Sequence, residues 1–190
     1  MFLEMLNKQN ELQKEITHRR KPMEDDIKFN IIKELVEFEE HLGDGVNSET
    51  WKEAKPFDVD KAREELIDVW FFYLQLINFK NEMEGPTKIF EKHTMNLIGE
   101  SFRDGMESIG YGYKMNMEYL IRDIYTCEHD YIPYEAAECI GNLFRQLGCD
   151  MEMFKDLFYK KLDKNFKRAR KQLQSTWTAT VGDVGRGVTS

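Results

Sequence analysis

The carboxylates of this sequence recur at spacings that suit a metal site. A Glu-rich run contains Glu34, Glu37 and Glu40, each three residues from the next. Residues three apart lie on the same side of a helix, so two of these carboxylates can share a hard cation such as Mg²⁺, which takes oxygen ligands. The alternative is a solvated helix face, because Glu-x-x-Glu often arises by chance in a chain that is 33% charged.

A second acidic pair opens the most apolar stretch of the chain. Glu65 and Asp68 come directly before the apolar run 69–74, and helical geometry places both in one narrow arc with Gln75. A carboxylate that enters an apolar core must be neutralised, paired or bound to metal, because burial of an isolated charge is very costly. The alternative is that the two acids begin an exposed helix edge. Two acidic pairs on successive helices favour a metal site more than either pair alone.

Cations and an amide appear on an apolar stripe near the C-terminus. The stripe that includes Phe154 and Phe158 continues by helical geometry to Lys161, Asn165 and Arg168. Polar residues in such positions indicate a pocket, in which Lys and Arg suit phosphates and Asn suits the edge of a base. The alternative is that the helix emerges into solvent at this point.

Helices must position these residues, because helical periodicity runs through nearly the whole chain and no convincing strand pattern appears. The second helix begins after Pro22 and ends at Gly43, as helix start and stop signals predict. We predict an all-α bundle with one domain over 1–174 and a flexible tail over 175–190. The other predicted helices cover about 2–18, 58–81, 87–109, 114–127, 134–147 and 151–173.

Composition restricts the classes of protein to consider. The 27 basic residues against 35 acidic ones give a net charge of −8, which disfavours a nucleic-acid binder. Three cysteines without a C-x-x-C pair predict reduced thiols instead of a disulfide framework or zinc site. The N-terminus is too polar for a signal peptide, and no apolar run approaches the roughly 20 residues of a membrane span. We therefore predict a cytoplasmic protein that binds neither nucleic acid nor membrane.

These motifs resemble those of the all-α dimeric dUTPases, relatives of the MazG-type nucleoside triphosphate pyrophosphohydrolases. That superfamily has E-x-x-E on one helix and E-x-x-D on a following buried helix. Here Glu65-Leu66-Ile67-Asp68, within REELIDVWFF, is similar to the family's ELVDIFHF. Trp51-Lys52 resembles a Trp-Lys pair that the family has between its two motifs.

The resemblance extends to both ends of the matched region, from residue 5 to residue 168. The segment 161–168 is similar to the family's K-x-x-x-N-x-x-R, and Gln9 lies where the N-terminal L-x-x-x-Q-x-x-L-N has its Gln. Phe71 stands where the family has His, and Gln13 where it has Asn. Both departures bear on recognition of the base. The segment 87–147 matches no such pattern.

The resemblance implies magnesium-dependent hydrolysis of dUTP to dUMP and pyrophosphate, with dUDP as a further substrate. This reaction limits uracil in DNA and supplies dUMP. The first motif has two registers, Glu34/Glu37 or Glu37/Glu40, and the family's distance to the Trp-Lys pair favours the second. Two or more Mg²⁺ ions would then bind Glu37, Glu40, Glu65 and Asp68, and Glu37 would position or deprotonate the attacking water.

The resemblance also implies a set of substrate-binding residues and a homodimer. In one form of this dimer, the active site would be completed by residues across the interface. Lys161 and Arg168, together with Lys52, would neutralise phosphate charge. The remaining assignments concern the nucleoside: Asn165 and Gln9 would read the uracil edge, and Trp51 and Asn78 would wall the pocket.

Two alternative functions remain open from the sequence. A pyrophosphatase for dCTP, or for pyrimidine nucleoside triphosphates more broadly, would use the same carboxylates and the same late helix. A helical interaction module without catalytic activity could keep the fold. Four converging acids argue against the module, because a protein without metal has no need for them.

Overall fold

The computed structural model describes residues 1–16, 22–43, 56–84, 88–108, 112–127 and 132–184. Within these ranges the chain forms helices only, which confirms the predicted all-α fold. The seven helices are α1 (Phe2–Ile16), α2 (Glu24–Glu40), α3 (Val59–Glu84), α4 (Lys88–Glu107), α5 (Tyr113–Thr126), α6 (Tyr134–Gln146) and α7 (Met151–Val184).

The predicted boundaries agree with local capping interactions. At the start of α2, the Asp26 carboxylate accepts a hydrogen bond of 3.2 Å from the Met23 backbone N–H, and three acids stand in the first turn, where the helix dipole favours them. Gly43 follows α2 with φ 74°, and Gly148 follows α6 with φ 71°. These left-handed conformations end the helices, and glycine adopts them without steric cost.

Helix α3 lies at the centre of the core, as its apolar residues in nearly all directions predict. Its Trp70 is fully buried and packs against aromatic rings from three other helices. The ring centroids of Phe102, Phe154 and Phe2 lie 4.9, 5.5 and 5.9 Å from that of Trp70. Such a cluster of large side chains holds α1, α4 and α7 around α3.

Helix α7 is longer than its sequence pattern predicts. The expected end was near residue 173, where the apolar periodicity stops, but the helix continues to Val184. Backbone hydrogen bonding along a helix does not require an apolar face, and no proline interrupts this segment. Residues 185–190 of the predicted tail lie outside the described residues, and the division into a domain over 1–174 and a tail stays a prediction.

Two smaller expectations can be compared with the fold. Cys127, Cys139 and Cys149 are free and buried, in agreement with the prediction of reduced thiols. None of the helices in the described part of the chain combines the length and the apolar character needed to cross a membrane.

Candidate active site

Helices α2 and α3 bring three carboxylates together at one point. Glu34, Glu37 and Glu65 each offer an oxygen, and these oxygens all lie within 4.8 Å of one another. Asp68 follows Glu65 by nearly one turn of α3 and is close enough for its charge to act on both Glu34 and Glu65. The acids of both sequence motifs therefore form one cluster, which we call the acid cluster: Glu34, Glu37, Glu65 and Asp68.

The register of the first motif differs from the one that the distance to Trp51-Lys52 favoured. Glu34 faces α3, whereas Glu40 is exposed and outside the cluster. The reason is the rotation of α2 about its axis. Its buried stripe includes Ile31 and Leu35, and at about 100° per residue Glu40 lies opposite that stripe while Glu34 borders it. The geometry thus favours the Glu34/Glu37 register.

Burial and mutual repulsion disfavour the charged forms of three acids of the cluster. Burial and the nearby Asp68 carboxylate raise the pKa of Glu34 and of Glu65. Burial also raises the pKa of Asp68, although its hydrogen bond with Lys161 opposes that rise. Carboxylates in such surroundings are stabilised as anions by an added positive charge, and three oxygens at this separation are a suitable donor set for a hard divalent cation.

Helix α7 supplies positive charge next to the acids. Phe158 stacks on Phe71 of α3 with a ring-centroid distance of 4.7 Å and an interplanar angle of 11°. This contact fixes α7 against α3, and one turn further on the Lys161 ammonium forms an ion pair with the Asp68 carboxylate. Only 11% of the Lys161 side chain and 17% of the Asp68 side chain are exposed, so the pair is only weakly screened by solvent.

A cavity of about 330 Å³ connects the acids with the polar residues of α7 and α1. All three residues of the α7 stripe line it; Lys161 and Asn165 are half-buried there, whereas Arg168 is exposed. The polar residues that line it are Gln9 and Gln13 of α1, Glu34 of α2, Asp68 and Gln75 of α3, and Lys161, Asn165 and Arg168 of α7. Phosphate-binding cations, carboxylates and side-chain amides are therefore arranged around one space.

Asn78 occupies a different position from the pocket wall that we expected. It lines a neighbouring cavity of about 260 Å³, which also includes Gln13 and Gln75, and it does not line the larger one. Its Nδ2 instead donates a hydrogen bond of 2.6 Å to Oε1 of Gln9. Asn78 therefore contacts a lining residue of the larger cavity instead of the cavity itself.

Two further comparisons with the sequence prediction concern what was named and what was missed. Trp51 and Lys52 lie outside the described residues. Glu34 belongs to the register that the distance to Trp51-Lys52 disfavoured. Its position next to the buried stripe of α2 is the signal that distinguishes it from Glu40. Gln75 was placed on the arc of Glu65 and Asp68 without a role, and it lines the cavity.

Comparison with known protein families identifies one match. The model of a protein family described as dUTPase matches residues 1–172. A search of curated proteins found no match.

Proposed function

The chain belongs to the dUTPase family and hydrolyses dUTP, and we propose that it does so with Mg²⁺ at the 330 Å³ cavity, releasing dUMP and pyrophosphate. The observation that carries this proposal is that Lys161 and Arg168 line one cavity together with two members of the acid cluster, Glu34 and Asp68. The other two members, Glu37 and Glu65, lie next to Glu34. A triphosphate needs both kinds of charge, because carboxylates hold the divalent ions and the basic residues neutralise the phosphate oxygens.

The metal would be held by Glu34, Glu37, Glu65 and Asp68. Their oxygens are the ligand type that Mg²⁺ prefers, and the raised pKa values of three of them indicate that a cation is favoured there. When bound, Mg²⁺ would neutralise phosphate charge and lower the pKa of a coordinated water.

The exposure and position of the other side chains indicate their roles in the reaction. Glu37 is more accessible than Glu34, the other member of the acid cluster on α2: 43% of the Glu37 side chain is exposed, against 12% for Glu34. Glu37 is therefore suited to position or deprotonate the attacking water. Lys161 lines the cavity and pairs with Asp68, so it can contact a phosphate there and also orient the carboxylate. Arg168 adds a second cation two turns further along α7.

We also propose that the enzyme is a cytoplasmic homodimer, as the resemblance to dimeric dUTPases implies. The outer face of α2 supports the dimer. Phe29 and Val36 are 63% and 52% exposed, and because they are seven residues apart they lie on the same side of the helix. Burial of such an apolar face against a second copy would be favourable.

The test is a panel of deoxynucleoside triphosphates incubated with the full chain, with and without Mg²⁺. We expect dUTP to be converted to dUMP and pyrophosphate only when Mg²⁺ is present. The Asp68→Asn protein removes one charge of the acid cluster while it keeps the shape of the side chain, and we expect its turnover to collapse. Near-normal hydrolysis by this variant at saturating Mg²⁺, or hydrolysis of dUTP without any divalent metal, would contradict the proposal.

A further inference from the structure

Helices α1 and α3 are joined by two rungs of side-chain amide hydrogen bonds next to the cavity. In the first rung, Asn78 Nδ2 donates to Gln9 Oε1 at 2.6 Å. In the second, Gln75 Nε2 donates to Gln13 Oε1 at 2.8 Å. We call this pair of rungs the amide ladder. Gln9 is only 3% exposed and Gln75 only 9%, so the direction in which each amide points is set by protein contacts more than by solvent.

The direction of the first rung follows from a backbone group. Asn78 Nδ2 also donates to the Leu6 carbonyl oxygen, at 3.3 Å. A backbone carbonyl can only accept hydrogen bonds, so the amino group of Asn78, and not its oxygen, must face α1. The atom of Gln9 that meets Asn78 must then be its oxygen. An amide has its oxygen at one end and its amino group at the other, which leaves the Gln9 amino group for a ligand.

We propose that Asn78 is a positioning residue that holds the Gln9 amino group toward the cavity, so that the site selects uracil over cytosine. This inference rests on the proposed function and adds to it the means by which the site recognises the base. Uracil has an acceptor, O4, where cytosine has a donor, N4–H₂. A fixed donor on Gln9 pairs with O4, whereas it would face the amino group of cytosine with no acceptor between them.

The second rung complements the first. Because Gln75 uses its Nε2 to donate to Gln13, its oxygen remains to accept from a ligand in the cavity that both Gln9 and Gln75 line. Uracil carries a hydrogen on N3 and can donate there, but cytosine N3 is an acceptor. The two rungs therefore present a donor and an acceptor in the combination that matches uracil and mismatches cytosine at both positions.

The experiment measures the affinities of dUMP and dCMP by calorimetry, since binding of these monophosphates needs no catalytic step. The wild-type chain should bind dUMP more tightly. In Asn78→Asp, the carboxylate can only accept, so Gln9 must turn its amino group to residue 78 and its oxygen to the cavity. We expect the preference for dUMP over dCMP to fall by about ten- to hundredfold, the usual consequence of mismatched buried hydrogen bonds.

A second variant keeps the test valid if Asn78→Asp does not fold. Gln9→Glu retains the bond from Asn78 and presents an acceptor to the cavity, so it should shift the preference in the same direction. Asn7→Asp makes the same chemical change as Asn78→Asp at an exposed position on α1 and should leave the ratio of affinities unchanged. A general loss of structure would lower the affinities for both nucleotides together and would not alter their ratio.

The outcomes separate this inference from the proposed function. An unchanged ratio in both ladder variants, or a wild-type chain that prefers dCMP or binds neither nucleotide, would overturn the inference. A wild-type chain that prefers dUMP but hydrolyses no triphosphate in the presence of Mg²⁺ would overturn the proposed function and leave the amide ladder supported.

Discussion

At the scale of single residues, the two glutamates Glu34 and Glu40 differ in what surrounds them and not in chemical type. Glu34 has 12% of its side chain exposed and contributes to the acid cluster, whereas Glu40 is exposed on the opposite side of α2. Burial beside other acids disfavours the anionic form of a carboxylate, and a nearby cation offsets this effect, whereas a solvated carboxylate is stabilised by water.

The pair gives a direct test of the register. Glu34→Gln should lower kcat/KM by about ten- to hundredfold, because it removes one charged oxygen donor from the proposed metal site. The variant should also need a higher Mg²⁺ concentration for half-maximal turnover. Glu40→Gln is the matched control. Glu40 shares the outer face of α2 with Phe29 and Val36, and a change from carboxylate to amide adds no bulk to that face, so this variant should behave like the wild type in the same Mg²⁺ titration. A larger loss in Glu40→Gln than in Glu34→Gln would restore the register that the family's distance to Trp-Lys favoured.

At the scale of helices, α4, α5 and α6 form a support for the helices that carry the site. A buried network of amides connects them: Asn116 Nδ2 donates to Asn142 Oδ1 at 2.9 Å, and Asn142 Nδ2 donates to the Gly105 carbonyl at 3.2 Å. Buried amides that are paired in this way fix the relative positions of helices. In the described part of the segment 87–147, which carries no motif of the family, this network joins the three helices to one another.

The close approach of α4 and α6 depends on two glycines. A Cβ atom placed on Gly141 would lie 2.2 Å from the Phe102 carbonyl oxygen, and one on Gly105 would lie 2.0 Å from the Glu138 carbonyl oxygen. Because the atoms that would be met are backbone atoms, they cannot turn aside as a side chain could. The two helices would have to separate to accommodate any larger residue.

We therefore expect Gly141→Ala to destabilise the fold by about 1–3 kcal/mol, the usual cost of overpacking. Thermal and urea unfolding measure this change. Gly112→Ala is the control, since a Cβ at Gly112 meets no atom within 4 Å and the residue already has φ −62°. Turnover below the melting transition should stay near the wild-type value in both variants, because neither glycine lines the cavity. Wild-type stability in Gly141→Ala would contradict the close packing described here.

At the scale of the whole molecule, the family match ends inside a helix. The dUTPase family model matches to residue 172, whereas α7 continues to Val184. Among the residues whose burial the structure describes, the last buried hydrophobic one is Ala169. The part of α7 after the family match is a candidate for the tail that the sequence predicts.

Truncation after Gln174 tests whether the chain to that point is a complete folding unit. We expect the melting temperature to stay within about 2 °C of the full chain, because the described core is retained and changes away from the core usually have small effects. The same preparation in the dUTP assay shows whether the removed residues act at the site, since a closing segment would change KM or kcat without changing stability. A clear drop in melting temperature would show that the folding unit extends beyond residue 174.

The sequence by itself determined where helices form along the chain and which residues share one face of a helix. The seven predicted helices are the seven that the described part of the chain forms, and the predicted stripe of Lys161, Asn165 and Arg168 lines a cavity. The physical reason is that the formation of a helix and the position of its apolar face are local properties. Apolar periodicity and capping residues act within a few residues of one another, so they are readable without knowledge of the rest of the chain.

Only the tertiary structure decided which faces of different helices meet. It placed Glu34 instead of Glu40 beside Glu65, and it turned Asn78 away from the pocket wall and onto Gln9. Both outcomes depend on the rotation of one helix against another, which the packing of the whole core sets. A shift of one position along a helix turns a side chain by about 100°. The apolar stripe of α2 indicates which of its sides faces the core, but the number of residues between two helices does not show which of their side chains meet.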